Sequence, residues 1–279
     1  MGITKADRLE NPTRRLFPSP IGNEGNNSQN LPRTTLKLLS KSMATLDEMY
    51  KEKSSEMDYY GLTRLDVVAF LGKYLQSSGH KLENVLEIGC SSGGTGKVIK
   101  EKFGVKFYAG LELMEKATTL AKKNIDWAAQ GNIEEMISEN RLSEIPQKKY
   151  DAILYLDVLE HLYNPWKVVE ASKNLLAPGG IIIGSIPNAA NLYVLWKLMR
   201  DRFEYDEDGL LDRTHIRFFT LHTIQKMLAP HYNLRVLDTN RDTWKTMNKQ
   251  QKVFQILTLG QWKKLFVRQY LFIAEKKEN

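Results

Sequence analysis

The chain has 279 residues, of which 42% are hydrophobic, and its 40 lysines and arginines exceed its 33 aspartates and glutamates by a formal net charge of +7. This length and apolar content accommodate one large domain with extensions. The single cysteine excludes an intrachain disulfide, and no apolar run reaches the roughly 18 residues of a membrane span, so a cytoplasmic protein without a transmembrane segment is predicted.

Three regions are predicted along the chain. Residues 1–33 are expected to be flexible, because prolines, glycines and asparagines leave too few apolar side chains to offset the entropy of ordering. Residues 34–83 are expected to form a helical cap, since apolar residues recur there at spacings of three and four. From residue 84 strand and helix patterns alternate, so residues 84–279 are predicted to form an α/β domain whose parallel sheet is covered on both faces.

The stretch from Asn84 to Gly96 predicts a strand, a glycine-rich turn and the start of a helix. Val85 and Ile88 suit a buried strand, while Gly89 and Gly93 allow the backbone to turn sharply. The first N–H groups of the following helix have no partner within the helix and face whatever lies above the turn. A ligand is therefore expected at this turn.

The residues around the turn favour a nucleoside ligand over a dinucleotide. A dinucleotide fingerprint requires a glycine where this chain has Ser91, because the backbone must approach a pyrophosphate closely. An acid that binds ribose hydroxyls is expected at the end of the next strand, about 20 residues on. Glu112 ends the apolar stretch from Phe107 and occupies that position.

Further elements are predicted from local signals. Gly104 should end the helix after the turn, Asn164 and Pro165 should begin a later helix, and Pro178 to Gly180 should stop it. The remaining strands are predicted at 127–130, 150–156, 181–186, 234–237 and 269–274.

Five motifs follow one another in order over roughly residues 80–240. They are Val85-Leu86-Glu87-Ile88-Gly89-Cys90-Ser91-Ser92-Gly93, the strand ending at Glu112, Gly131-Asn132-Ile133-Glu134, the strand and loop from Tyr150 to Leu162, and Leu176-Ala177-Pro178-Gly179-Gly180. Together they resemble the class I S-adenosylmethionine-dependent methyltransferases, from which Ser91 and Asn132 are departures. The resemblance implies a Rossmann-like, doubly wound sheet of seven strands, mostly parallel with the last strand antiparallel, N-terminal helices and an insert after strand five.

The resemblance also implies the cofactor, S-adenosyl-L-methionine, and its contacts. Glu87 and Gly89 would lie near its methionine end, Glu112 would bind the ribose hydroxyls, Asn132 with Ile133 would meet the adenine, and Asp157 would border the transferred methyl group. The full set of expected cofactor contacts is Glu87, Gly89, Cys90, Ser91, Gly93, Glu112, Leu113, Asn132, Ile133 and Asp157.

Two inserts interrupt the alternating pattern. Residues 187–220 follow strand five at the ligand-binding edge of an open sheet. The Ser185-Ile186-Pro187-Asn188 motif and the stretch from Leu210 to Thr220 are similar to signatures of bacterial methyltransferases associated with cell-surface glycan enzymes. This resemblance predicts an acceptor-side lid, with Asn188, Arg213 and His215 as candidate acceptor contacts. Tyr60 is a further candidate, because N-terminal helices and aromatic residues of methyltransferases often lie over the cofactor. Residues 241–267 are expected to be a helical insert that packs on its own sheet, with a membrane surface, an RNA or a second subunit as alternative partners.

Asp157, Glu160, His161 and the distant His215 are the candidate catalytic set. If the loop after strand four is helical, residues three and four apart share a face, so these side chains would converge. Their oxygen and imidazole groups suit a divalent metal ion such as Mg²⁺ or Mn²⁺, which would lower the pKa of an acceptor hydroxyl. A metal-free base at His161 or His215 and a purely structural pair are the alternatives. Small-RNA 2′-O-methyltransferases have a similar acid and histidine set, and ubiquinone-type O-methyltransferases carry a related loop.

The sequence as a whole predicts O-methylation of a sugar, a glycan precursor or another small hydroxyl compound. A metal-assisted RNA ribose 2′-O-methyltransferase and an inactive cofactor-binding regulatory protein are the alternatives. Acidic and basic residues are mixed along most helical stretches, which disfavours nucleic acid as a partner without excluding it. The sequence does not specify an oligomeric state.

Overall fold

Seven strands form one sheet in the order β3-β2-β1-β4-β5-β7-β6. The structure is a computed structural model that describes residues 63–146, 149–239 and 262–278, together with residues 249 and 256. The strands are β1 (Asn84–Ile88), β2 (Phe107–Glu112), β3 (Trp127–Gln130), β4 (Tyr150–Leu156), β5 (Leu176–Pro187), β6 (Tyr232–Thr239) and β7 (Gln269–Lys276). Only β7 is reversed, and it lies antiparallel between β5 and β6. The predicted sheet is confirmed.

Helices cover both faces of this sheet. They are α1 (Leu65–Ser78), α2 (Gly94–Phe103), α3 (Glu115–Ala121), α4 (Ile133–Ser138), α5 (Pro165–Leu175), α6 (Leu192–Met199) and α7 (Leu221–Leu228). Alternate residues of each strand enter two separate apolar clusters, so Leu86 packs with residues of α4, α5 and α7, whereas Val85 packs with residues of α1 and α2. This alternation follows from the two-residue period of a strand. The predicted doubly wound architecture is thereby observed.

Local signals set several helix ends. The side chain of Asn164 accepts a hydrogen bond from the Lys167 N–H at 3.1 Å, and Pro165 is the first residue of α5. Gly104 ends α2 in the left-handed conformation, with φ of 68°. Both features are as predicted.

The end of α5 differs from the prediction. The helix ends at Leu175, before Pro178, and the Pro178 to Gly180 stretch lies within β5. Leu176 already pairs with Tyr150 of β4, and the register then shifts before Ala152 pairs with Ile181. Between these two pairs β5 contains more residues than β4. The extra residues of β5 form a bulge-like irregularity, in which Gly179 has φ of 69°.

Several predicted features lie outside the described residues. They include the 1–33 segment, residues 34–62 of the predicted helical cap with Tyr60, and most of the 241–267 insert, so the predicted domain boundaries remain predictions. Among the residues that are described, no helix combines the length and apolar character required to cross a membrane.

Candidate functional site

The turn between β1 and α2 has a backbone that only certain residues tolerate. Gly89 has φ of 73°, and a Cβ at this position would lie 2.5 Å from the Val158 side chain. Gly93 has φ of 76° and is the N-cap of α2. Ser91 has φ of 50° without being glycine, a conformation that is sparsely populated and is found where the surroundings hold it in place.

Glu112 holds this turn against the end of β2. Its buried carboxylate accepts hydrogen bonds from the Ser91 N–H at 2.8 Å and from the Met114 N–H at 3.0 Å. Burial raises the pKa of Glu112, and the backbone N–H donors oppose that rise. The acid predicted to bind ribose hydroxyls therefore lies at the edge of the turn, as the strand pairing of β1 and β2 requires.

Glu87 and Cys90 lie beneath the turn. The Tyr108 hydroxyl donates a hydrogen bond of 2.9 Å to the Glu87 carboxylate. Burial raises the pKa of Glu87 to about 8, although the Tyr108 hydrogen bond acts in the opposite direction. The Cys90 thiol is buried, and a Cβ on Gly110 would lie only 2.4 Å from its sulfur. Burial also raises the pKa of the Cys90 thiol, so this residue packs the turn and is not an activated nucleophile.

A cleft of about 790 Å³ runs along the ends of β2 and β3. Leu113 and Asn132, two of the expected cofactor contacts, are among its lining residues. The Asn132 side chain also accepts a hydrogen bond of 2.9 Å from the Glu134 N–H, which caps α4. Ile133 is buried in the core immediately after it.

Asp157 lies directly after β4 in a strained conformation, with φ of 57°. Its carboxylate contacts the Arg64 guanidinium and the Gln269 amide, and accepts a hydrogen bond of 2.8 Å from the Ser185 hydroxyl. Arg64 is in turn held by Asp66 through two hydrogen bonds of 2.9 Å.

Sequence reasoning missed Arg64 and Gln269 as members of the site. Arg64 is 93 residues and Gln269 is 112 residues from Asp157. No local spacing links these positions, so only the order of strands in the sheet indicates that they meet.

Glu160 and His161, in the short helical turn after β4, form a compact cluster with His215. One potential ligand atom from each residue lies within 4.8 Å of the others. The two imidazole centroids are 4.8 Å apart. The Glu160 carboxylate is buried, and neither of its oxygens has a hydrogen-bond partner among the described residues. Such a group is expected to be protonated or to bind a cation, because an unpaired buried carboxylate is strongly disfavoured.

Backbone carbonyl groups orient both imidazoles of the cluster. Nδ1 of His161 lies 3.0 Å from the Thr214 carbonyl oxygen, and Nδ1 of His215 lies 3.4 Å from that of Leu210. These contacts favour the tautomer in which Nδ1 carries the hydrogen and Nε2 the lone pair, as in many metal-binding histidines. The insert is joined to the cluster by two N–H groups, of Ile216 and Arg217, that donate to the Glu160 carbonyl oxygen.

The remaining predicted acceptor contacts are placed differently. Asn188 is fully buried, and its amide donates to the carbonyl oxygens of Lys264 and Val267 at 2.9 Å each. This residue therefore anchors the insert, and its contact with the acceptor stays a prediction. Arg213 lies within the insert and forms an ion pair of 3.5 Å with Glu207. Tyr60 lies outside the described residues.

A sequence profile of the methyltransferase domain family matches residues 56–239. A ubiquinone biosynthesis O-methyltransferase of Dechloromonas aromatica is 32% identical over 108 residues, which cover 38% of this chain and 45% of the relative. A malonyl-[acyl-carrier protein] O-methyltransferase of Ilyobacter polytropus is 22% identical over 196 residues, 69% of this chain and 70% of the relative. The chain thus spans about half the length of the ubiquinone-type relatives it matches.

The fold is shared with solved methyltransferase structures. A SAM-dependent methyltransferase from Archaeoglobus fulgidus aligns with a TM-score of 0.52 at 15% identity, covering 75% of this chain and 94% of that one. The plantazolicin methyltransferase BamL, solved with SAH, aligns with a TM-score of 0.52 at 15% identity, covering 84% and 91%. The family match covers well over half of the chain, so the protein belongs to the class I S-adenosylmethionine-dependent methyltransferases.

Proposed function

We propose that this protein transfers the methyl group of S-adenosylmethionine to a hydroxyl oxygen of a small molecule, such as a sugar, a glycan precursor or a phenol. The observation that carries the proposal is the buried cluster of Glu160, His161 and His215. A hydroxyl is a weak nucleophile unless its proton is removed or its pKa is lowered, and this cluster offers groups for either route. The names of the relatives, both O-methyltransferases, support transfer to oxygen.

Cofactor binding is assigned to the turn after β1, which contains Ser91, and to the turn after β2, which contains Met114. The Glu112 carboxylate accepts a hydrogen bond from each of these turns. Methyl transfer is an in-line displacement, so the protein contributes mainly positioning and exclusion of water. The Glu112 carboxylate accepts two backbone N–H groups and retains acceptor capacity for ribose hydroxyls. Asp157 borders the transferred methyl group, and Arg64, Ser185 and Gln269 hold its carboxylate in place.

The residues of the cluster fit a divalent cation. One carboxylate and two imidazoles suit Mn²⁺, Fe²⁺, Co²⁺ or Zn²⁺ better than Mg²⁺, which prefers oxygen ligands alone. A bound cation would lower the pKa of an acceptor hydroxyl. The Asp157 side chain takes its contacts from Arg64, Ser185 and Gln269, so the metal set proposed here is Glu160, His161 and His215 without it. Without a cation, Nε2 of His161 or His215 is the general base.

The test is an acceptor screen coupled to hydrolysis of S-adenosylhomocysteine, using sugars, phenols, carboxylic acids and short RNA. Each acceptor is assayed with untreated protein, with chelator-treated protein and after return of each divalent ion. Turnover on a hydroxyl compound supports the proposal, and loss on chelation with recovery on one ion supports the cation. Turnover only on RNA would replace the small-molecule acceptor with a ribose 2′-hydroxyl. Cofactor binding without turnover on any acceptor would indicate the regulatory alternative.

A further inference from the structure

Helix α6 has its apolar side turned toward solvent. Val194 faces inward and is 3% exposed, whereas Leu192, Trp196 and Met199 are 37%, 50% and 67% exposed. The last three residues are spaced by four and three, so they form one stripe on the side of the helix opposite Val194. A helix of a globular protein usually turns such a stripe toward the core. We call these three residues the outer stripe of α6.

The orientation of α6 is fixed by its attachment. The Asn191 side chain caps the helix through the Tyr193 N–H at 2.9 Å, and its amide donates to the Val267 carbonyl oxygen at 2.9 Å. The Asn188 amide likewise donates hydrogen bonds to the carbonyl oxygens of Lys264 and Val267. The helix therefore begins against the 262–268 segment, and the outer stripe is held outward by buried hydrogen bonds.

The two segments that carry and anchor the stripe are basic, whereas residues 201–208, which follow α6, contain five acids and one arginine. Residues 189–200 and 262–268 contain five lysines and arginines and no aspartate or glutamate. The Arg200 guanidinium lies 4.3 Å from the centre of the Trp196 ring. Lys263 and Lys264 are exposed beside Trp262, which is 48% exposed. Lys197 is paired with Asp206 at 2.8 Å, and the acidic stretch 201–208 begins where α6 ends, so the basic surface has a defined edge.

We propose that the outer stripe and the 262–264 segment dock the protein on a membrane that contains anionic lipid. Tryptophan with arginine and lysine around an apolar stripe is the composition of helices that lie in the membrane interface. Each cation near such a surface contributes about 1 kcal/mol, or roughly fivefold in affinity. A second copy of this chain would bring a surface of the same charge, which disfavours self-association.

This docking places the insert next to the membrane, and the same insert carries His215. An acceptor held in the membrane would then reach the cluster without leaving the lipid surface. Membrane docking is independent of the methyl-transfer chemistry, so its test requires no acceptor.

The experiment is flotation of the full chain with vesicles of phosphatidylcholine mixed with phosphatidylglycerol, and with vesicles of phosphatidylcholine alone. The protein should float with the anionic vesicles and bind the neutral ones at least about fivefold more weakly. Trp196→Glu with Met199→Glu should weaken binding about tenfold or more, because two charges replace the deepest apolar side chains. Lys263→Ala with Lys264→Ala removes two cations, so it should weaken binding at low salt by roughly 25-fold and much less at high salt.

Leu120→Glu is the matched control, because Leu120 is 43% exposed on α3, away from this surface. It should bind vesicles as the wild type does. The unfolding temperature of each variant is measured, and Trp196→Ser with Met199→Ser replaces the glutamate pair if that pair fails to fold. Three results would each overturn the proposal: no flotation of the wild type, unchanged flotation of both the Trp196/Met199 variant and the Lys263/Lys264 variant, or a wild-type dimer that the Trp196/Met199 variant abolishes without any vesicle binding.

Discussion

Glu112 shows how a single residue connects two elements of the site. Its carboxylate joins the Ser91 N–H of one turn to the Met114 N–H of the next, at a position that the sequence identified from the apolar stretch before it. The ribose assignment predicts that Glu112→Ala weakens cofactor binding about tenfold or more, since one or two hydrogen bonds to a charged group are worth roughly 1.5–3 kcal/mol each.

Calorimetry with S-adenosylhomocysteine measures this affinity. Glu101→Ala, at an exposed position near the end of α2 and outside the lining of the cleft, is the control and should bind the cofactor normally. An unchanged affinity of the Glu112 variant would remove this residue from the cofactor site.

Glu87 predicts a pH dependence of stability. Its pKa in the fold is about 8, above the ordinary 4.5, so the folded state binds the proton more tightly than the unfolded state. The stabilisation is complete below pH 4.5 and is lost as the pH rises through 8. Glu87→Gln cannot titrate, so the wild type should lose stability relative to this variant between pH 5 and pH 8.5, on the order of a few kcal/mol.

Urea unfolding of both proteins at the two pH values measures this difference. Tyr108→Phe, which removes the hydroxyl donor to Glu87, should retain the pH dependence because burial is its main cause. A constant difference between wild type and Glu87→Gln across this range would show that Glu87 titrates normally in the fold.

Local sequence signals identified some residues of the site and not others. Gly89 and Gly93 could be predicted because their positive φ angles belong to a turn that is contiguous in sequence. Arg64 could not, since its partner Asp157 lies 93 residues away. Nor could the hydrogen bonds from the Asn188 amide to two carbonyl groups of the 262–268 segment, which lies more than 70 residues away, be read from a local pattern.

At the scale of elements, the order of strands and helices was predictable and the exact ends were less so. The two-residue alternation of the strands and the caps at Gly104 and Asn164 are local properties, and they matched the structure. The Leu176 to Gly180 stretch resembled a helix stop but joined β5, because pairing with Tyr150 of β4 decided its conformation. That pairing is a tertiary contact, which no local pattern contains.

The 187–220 insert is proposed as the acceptor-side lid, and this assignment predicts a selective effect. His215→Ala and Arg213→Ala should leave cofactor affinity within about twofold, below roughly 0.4 kcal/mol. Both should lower kcat/KM for the acceptor by tenfold or more, about 1.4 kcal/mol of transition-state stabilisation. Steady-state kinetics and cofactor calorimetry separate the two effects.

Glu207→Ala controls for the ion pair that Arg213 makes within the insert. It should retain acceptor kinetics if Arg213 contacts the acceptor directly. The lid assignment would be abandoned if the Arg213 and His215 variants lost cofactor affinity and unfolding temperature together.

At the scale of the whole molecule, the fold brings the cluster together from two distant parts of the chain. Glu160 and His161 follow β4, and His215 arrives through the insert, with its neighbour Thr214 bonded to His161 across 53 residues. Residues that act as one unit should give non-additive losses. We therefore predict that the double variant Glu160→Gln, His215→Ala loses about as much turnover as either single variant.

Double-mutant cycles on kcat measure this coupling. Asp151→Asn is a control outside the cluster, since that carboxylate accepts from the Glu83 and Asn84 N–H groups at the opposite end of β4. Losses that add across Glu160 and His215 would indicate two separate packing roles.

We propose that the protein methylates an oxygen atom and that the cluster of Glu160, His161 and His215 activates this oxygen. The most direct test is ¹³C NMR of the product made from S-adenosylmethionine labelled in its methyl carbon, with wild type and Glu160→Gln compared under single-turnover conditions. We predict an O-methyl resonance from the wild type and a rate at least about a hundredfold lower in the variant, within the range expected for loss of acid–base or metal activation, with cofactor affinity retained. An N-methyl or C-methyl resonance, or an undiminished rate in Glu160→Gln, would contradict this account.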